Sequence, residues 1–210
     1  MTTRPATLFL RLALRRAARG TGSPRSLFER RTAIQPIPDL HRILSPVAWV
    51  LVGGLALRAY IAERMTLDID ILIHERDAEA ARRAFLGAGY HVTEQLSIGG
   101  FSVQGADPDE PPIDVLTRAD PWLDAALAHP AADPAGYPVL GRPYLILLKL
   151  QAGRTQDLAD VQRLLAHVPR SERDSMRRLV LRFQPDLVED YDLLYLLADL
   201  EFSPPPEDGS

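Results

Sequence analysis

The sequence contains no cysteine, which excludes disulfide frameworks, thiolate nucleophiles and cysteine-ligated metals and makes the cytosol the expected compartment. Lysine is almost absent as well: of 24 basic residues only Lys149 is not arginine, so an ammonium on that apolar stretch needs a reason of its own. No apolar run approaches the roughly 18 residues that a membrane span needs. The nearest leader-like stretch, "ATLFLRLAL", is short and broken by Arg11, so no membrane partner is expected. The five histidines, at 41, 74, 91, 129 and 167, have no ligand spacing, and serine-nucleophile motifs are missing.

What is present is ordinary globular material, with 46% hydrophobic and 25% charged residues in a chain of 210, enough for one domain and a small helical annex. The formal charge of −4 is unevenly spread. Residues 1–35 hold eight arginines against Glu29 alone, a net +7 that leaves −11 for the remainder. Leucine and arginine recur at helical spacing over 6–19, an arm that is expected either to dock as a helix or to meet RNA phosphates or another acidic surface.

Apolar and β-branched runs predict strands at "VAWVLVGG", at "LDIDILI" from Leu67 to Ile73, and at "YHVTEQL", "GFSVQG" and "IDVLT", with "YPVLG" as an edge strand or loop. Helices are predicted over Leu55 to about Glu63, 77–88, "PWLDAALAH", 143–152, 156–167, 171–183 and 186–201, with Ser171 and Asp174 spaced like a capping box. The division expected is a basic arm over 1–35, an α/β core over 36–142, a helical layer over 143–202 packed on that core, and a disordered tail over 203–210.

The chemistry concentrates in "LVGGLALRAYIAERMTLDIDILI". Side chains alternate along a strand, so Asp68 and Asp70 are expected on one face, with Leu67, Ile69 and Ile71 on the other. Two adjacent carboxylates repel and require a cation or hydrogen-bond donors, and Mg²⁺ is a hard ion suited to one or two carboxylates plus phosphate oxygens. Gly53 and Gly54 end the preceding strand where a chain must approach a phosphate without a Cβ in the way. Asp114, in "PPIDVLT", is a third carboxylate between apolar neighbours, placed to help hold a metal and to take a proton from an acceptor hydroxyl.

Together "VGG", "RMTLDIDILI" and "IDVL" resemble the nucleotidyltransferase superfamily typified by DNA polymerase β. The stretch "YLILLKLQAGRTQDLADVQRLL" resembles the Lys-to-Asp helix of its AbiEii-like branch, known from abortive-infection and toxin–antitoxin systems. The resemblance spans about residues 47–166. It implies a small mixed-sheet nucleotidyltransferase core with a C-terminal helical layer, and transfer of a nucleoside monophosphate from an NTP such as ATP to an acceptor hydroxyl. It further implies metal ligation by Asp68, Asp70 and Asp114 with two Mg²⁺ ions, Mn²⁺ being the substitute. Triphosphate binding falls to Gly53 and Gly54, with Arg64, Thr66, Lys149 and Arg154 around the nucleotide, and active-site roles to Lys149 and Asp157. Where the family carries a lysine before that last aspartate, this chain has Gln156. The implied acceptor is an RNA or tRNA 3′ end. The rivals are a small antibiotic-type molecule as acceptor, or a non-catalytic relative binding an antitoxin or other partner protein.

Overall fold

The computed structural model describes residues 4–17, 19, 37–61, 68–107 and 110–202. The chain divides into two compact units: one ends at Gly141 and holds the sheet, and the other joins the N-terminal helix to everything from Arg142 onward.

The first unit holds β1 (Trp49–Leu51), β2 (Ile69–His74), β3 (His91–Gln95), β4 (Gly100–Gln104), β5 (Ile113–Arg118), β6 (Ala131–Ala132) and β7 (Pro138–Val139), with Val, Ile and Leu concentrated in the central β1, β2 and β5. They make one mixed sheet in the order β3-β4-β5-β2-β1-β7-β6. The centre of the sheet is parallel where β2 meets β5, and antiparallel where β1 meets β2 and where β4 meets β5. Ile69, Ile71 and Ile73 of β2 are buried with Ile113 and Val115 of β5. Each such side chain contributes about 1.5–3 kcal/mol on burial, and a one-residue slip would put Asp70 and Asp114 among the positions these residues occupy. The register is therefore strongly specified.

Three expectations need correction. The run "YPVLG" yields β7, which is not at the edge, because the two-residue β6 folds back over it. The fold-back is fastened by Asp133, whose Oδ1 accepts from the amides of Ala135 at 2.9 Å and Tyr137 at 2.8 Å. Its Oδ2 accepts from Arg58 Nη2 at 2.5 Å. Second, the strand expected from Leu67 begins at Ile69 among the described residues, and Leu67 itself lies outside them. Third, the helix expected after the glycines is a five-residue 3₁₀ segment, Leu55–Ala59, and the rest of that predicted helix, 62–63, lies outside the described residues.

The second unit comprises α1 (Pro5–Arg16), α5 (Arg142–Ala152), α6 (Thr155–Ala166), α7 (Arg170–Phe183) and α8 (Val188–Phe202); the intervening helices α2 (Leu40–Ile43), α3 (Ala78–Gly87) and α4 (Leu123–Ala128) belong with the sheet. On α8, Asp190, Tyr191, Leu194, Leu197 and Ala198 are buried, a helical face at i, i+1, i+4, i+7 and i+8. Helix α1 buries Thr7 and Leu10, and Thr7 Oγ1 donates to Asp190 Oδ1 at 2.5 Å. Arg4 Nε stands 3.8 Å from Asp190 Oδ2, and Arg11 pairs with Glu189. The described part of the basic arm is thus a docked helix, two of whose arginines face acids of α8. Tyr191 donates to the Arg173 carbonyl at 2.6 Å, and burial pushes its phenol upward.

The capping box expected at Ser171 is not formed. Helix α7 already starts at Arg170 behind Pro169, whose extended backbone sets the N-terminus one residue earlier. The predicted tail 203–210 and most of 18–36 lie outside the described residues. Among the described residues no helix is long and apolar enough to cross a membrane.

Candidate active site

Register places the chemistry. Asp70 of β2 pairs with Asp114 of the parallel neighbour β5, and Asp114 pairs in turn with Ser102 of the antiparallel β4. Directly paired residues share a face of a sheet, so Ser102, Asp114 and Asp70 form one row across three strands. Both aspartates sit at the second position of their strands, and β1 runs antiparallel to β2, so the Gly53–Gly54 turn lies at the same rim.

The row continues into that turn. The Val52 amide donates to the Asp70 carbonyl at 2.9 Å, and Gly53 follows at φ +63°. A Cβ on Gly53 would lie 1.8 Å from Asp70 Oδ2 and 2.7 Å from its Cγ. Glycine is required here twice, for the left-handed backbone and for the carboxylate pressed against it. Gly54 is different: at φ −70° and ψ −40° it is helical and opens the 3₁₀ segment. Five 3₁₀ residues give little aligned dipole, so this turn offers an anion backbone access and not a helix end. We predict that Gly53→Ala displaces the Asp70 carboxylate and costs about 1–2 kcal/mol of stability from the left-handed backbone, read by urea denaturation.

The three-carboxylate cage expected from Asp68, Asp70 and Asp114 is not assembled. Among the described residues no group of three or more His, Asp or Glu side chains could hold a metal ion. The reason is the strand boundary: Asp68 precedes β2 and is exposed, so the ladder aligns only Asp70 and Asp114. Two carboxylates in register beside a glycine-lined turn still suit Mg²⁺, which usually completes its shell with substrate phosphate oxygens and water. The donor set is all oxygen, as that ion requires.

Lys149 and Asp157 occupy the helical unit, and their geometry is that of a buried knot. Lys149 is 4% exposed, Asp157 3% and Asp160 0%. Lys149 Nζ donates to Asp157 Oδ1 at 3.1 Å and to Asp160 Oδ2 at 2.8 Å, tying α5 to α6. Arg154 Nε reaches Asp157 Oδ2 at 2.6 Å with most of its own side chain in solvent, and Arg163 Nη1 stands 3.7 Å from Asp160 Oδ1. Gln156 is exposed on the first turn of α6. Asp157 thus engages Lys149, and the ammonium is enclosed by carboxylates. Arg64 and Thr66 lie outside the described residues.

Sequence reasoning missed two contributors. Ser102 is a small polar residue between Phe101 and Val103 that only the β4–β5 register identifies. The Arg58–Asp133 pair joins positions far apart in the chain and has no local signal.

No protein-family model matches the chain, and a search of curated proteins finds no match. Among solved structures it is similar to ANT(2″)-Ia in complex with adenylyl-2″-tobramycin, at 19% identity over 75% of this chain and 94% of that chain, with a TM-score of 0.42. A solution structure of the antibiotic-resistance factor ANT(2″)-Ia gives 17% identity, 74% and 86% coverage and a TM-score of 0.43. The Cid1 poly(U) polymerase gives 14% identity over 86% of this chain and 49% of that one, with a TM-score of 0.30. Likenesses of this depth fix no activity by themselves; the side chains must.

Proposed function

We propose that the chain is a divalent-metal-dependent nucleotidyltransferase that moves a nucleoside monophosphate from an NTP to an acceptor hydroxyl. The observation that carries the reading is the pair Asp70 and Asp114, in register on adjacent parallel strands with the Asp70 carboxylate set against Gly53. Two acids so placed are costly unless a cation or donors offset them, and the adjoining turn lacks the side chain that would bar a phosphate.

In this reading Asp70 and Asp114 hold Mg²⁺, or Mn²⁺ in its place, with exposed Asp68 joining when the ion and nucleotide are bound. The bound ion supplies neutralisation of triphosphate charge and acidification of the acceptor hydroxyl. The Gly53–Gly54 backbone seats the triphosphate. A bond forms between the acceptor oxygen and the α-phosphorus while the α–β bridging bond breaks, the electron pair leaving with pyrophosphate and the hydroxyl proton passing to Asp114. Lys149 and Asp157 act as positioning residues within the helical unit.

The proposed acceptor is an RNA 3′ end, as in the toxin-type relatives that the Lys149-to-Asp160 stretch resembles. Exposed Arg15 and Arg16 add positive charge for phosphates. Purified protein is incubated with Mg²⁺, each α-labelled NTP, and either total RNA or a panel of small hydroxylated molecules. Label on RNA is the expected result; label on a small molecule moves the acceptor class, and label on neither rejects the enzyme.

A further inference from the structure

We propose that Ser102 makes Asp114 a one-oxygen ligand and thereby sets which divalent cation the site accepts, an inference that rests on the nucleotidyl-transfer reading above. Ser102 is 5% exposed, lies directly opposite Asp114, and its Oγ donates to Asp114 Oδ1. With Oδ1 engaged, Oδ2 is the oxygen left for a cation. The register that creates this contact is pinned from both sides of Ser102. Gly100, at φ +112°, brings β4 so near β5 that a Cβ there would lie 1.9 Å from the Val115 carbonyl oxygen. Thr93 Oγ1 donates to the Ser102 carbonyl at 3.3 Å from the other neighbouring strand.

The consequence follows from ion size and coordination. Mg²⁺ demands a near-octahedral shell of single oxygens at short distance, whereas Ca²⁺ accepts longer bonds, more ligands and two-oxygen carboxylates. A carboxylate with one oxygen tethered presents the geometry that Mg²⁺ prefers. Released, it turns to offer both oxygens and loses that preference. Ser102 is a positioning residue, acting through Asp114 and touching neither substrate nor ion.

The test measures binding directly. Mn²⁺ affinity is read by electron paramagnetic resonance in the presence of α,β-methylene ATP, and Mg²⁺ and Ca²⁺ are ranked by competition. Ser102→Ala removes the donor; Ser102→Cys fills the site with a slightly larger atom that is a much weaker donor, so a shared effect of the two marks the hydrogen bond and not a cavity. In both variants Mg²⁺ should weaken by about tenfold or more while Ca²⁺ holds steady or tightens, the scale expected for residues that orient metal ligands. The thermal midpoint of the metal-free protein, recorded alongside, checks that both variants are folded. An unchanged Mg²⁺/Ca²⁺ ratio, or parallel weakening of both ions, overturns the role of Ser102. If wild-type protein transfers nucleotide and the ratio does not move, only this inference falls; if wild-type protein neither binds Mn²⁺ with the analogue nor transfers, the functional reading falls with it.

Discussion

Asp70→Asn is expected to reduce nucleotidyl transfer by about three orders of magnitude, since losing a metal-holding carboxylate removes several kcal/mol of transition-state charge stabilisation. The fold should survive. The amide is isosteric, the β2 backbone contacts are unchanged, and one of two acids held in register is neutralised, which relieves repulsion with Asp114. Single-turnover rates and the thermal midpoint, measured on the same preparation, separate the two effects. A variant that is inactive because it is unfolded would give no support; a folded variant with wild-type rates would remove Asp70 from the mechanism.

Lys149→Met carries the second large effect, and it falls on stability. The ammonium lies between two buried carboxylates, both less exposed than Lys149 itself. Its removal leaves Asp160 with only Arg163 at 3.7 Å, and Asp157 with Arg154, whose side chain is 78% exposed. Breaking one partner of a buried ion cluster typically costs about 3–5 kcal/mol, because the remaining charge stays desolvated. Urea denaturation followed by circular dichroism should show the unfolding free energy lowered by that amount, as a reduced midpoint at unchanged slope. If the lysine instead served chiefly to contact phosphate, KM for the nucleotide would rise while stability stayed near wild type.

The sheet was legible where Val, Ile and Leu were concentrated, at β1 and β5 between glycine or proline and at β2 by its isoleucines and leucine alone, because buried strands leave that imprint whatever their partners. The pairing of Asp70 with Gly53 was legible too, since a single reversal between two consecutive strands returns the second to the end of the first. Asp68 falls outside the ladder because strand ends are set by where ladder hydrogen bonds stop, which side-chain pattern does not encode. Ser102 and Asp114 are 12 residues apart, with the β4–β5 connection between them, and only the strand register makes them neighbours. The enclosure of Lys149 had one visible cause, the Asp157 and Asp160 spacing on α6. Its depth came from the packing of α5 on α6, which no local pattern states.

In the proposed enzyme Asp70, Asp114 and the Gly53 turn form one metal–triphosphate site. The most direct test is anomalous scattering from crystals grown with Mn²⁺ and α,β-methylene ATP. A manganese peak is expected at the carboxylates of Asp70 and Asp114, with phosphate density over Gly53. Manganese bound elsewhere, with both aspartates free of metal and phosphate absent from the turn, would contradict it.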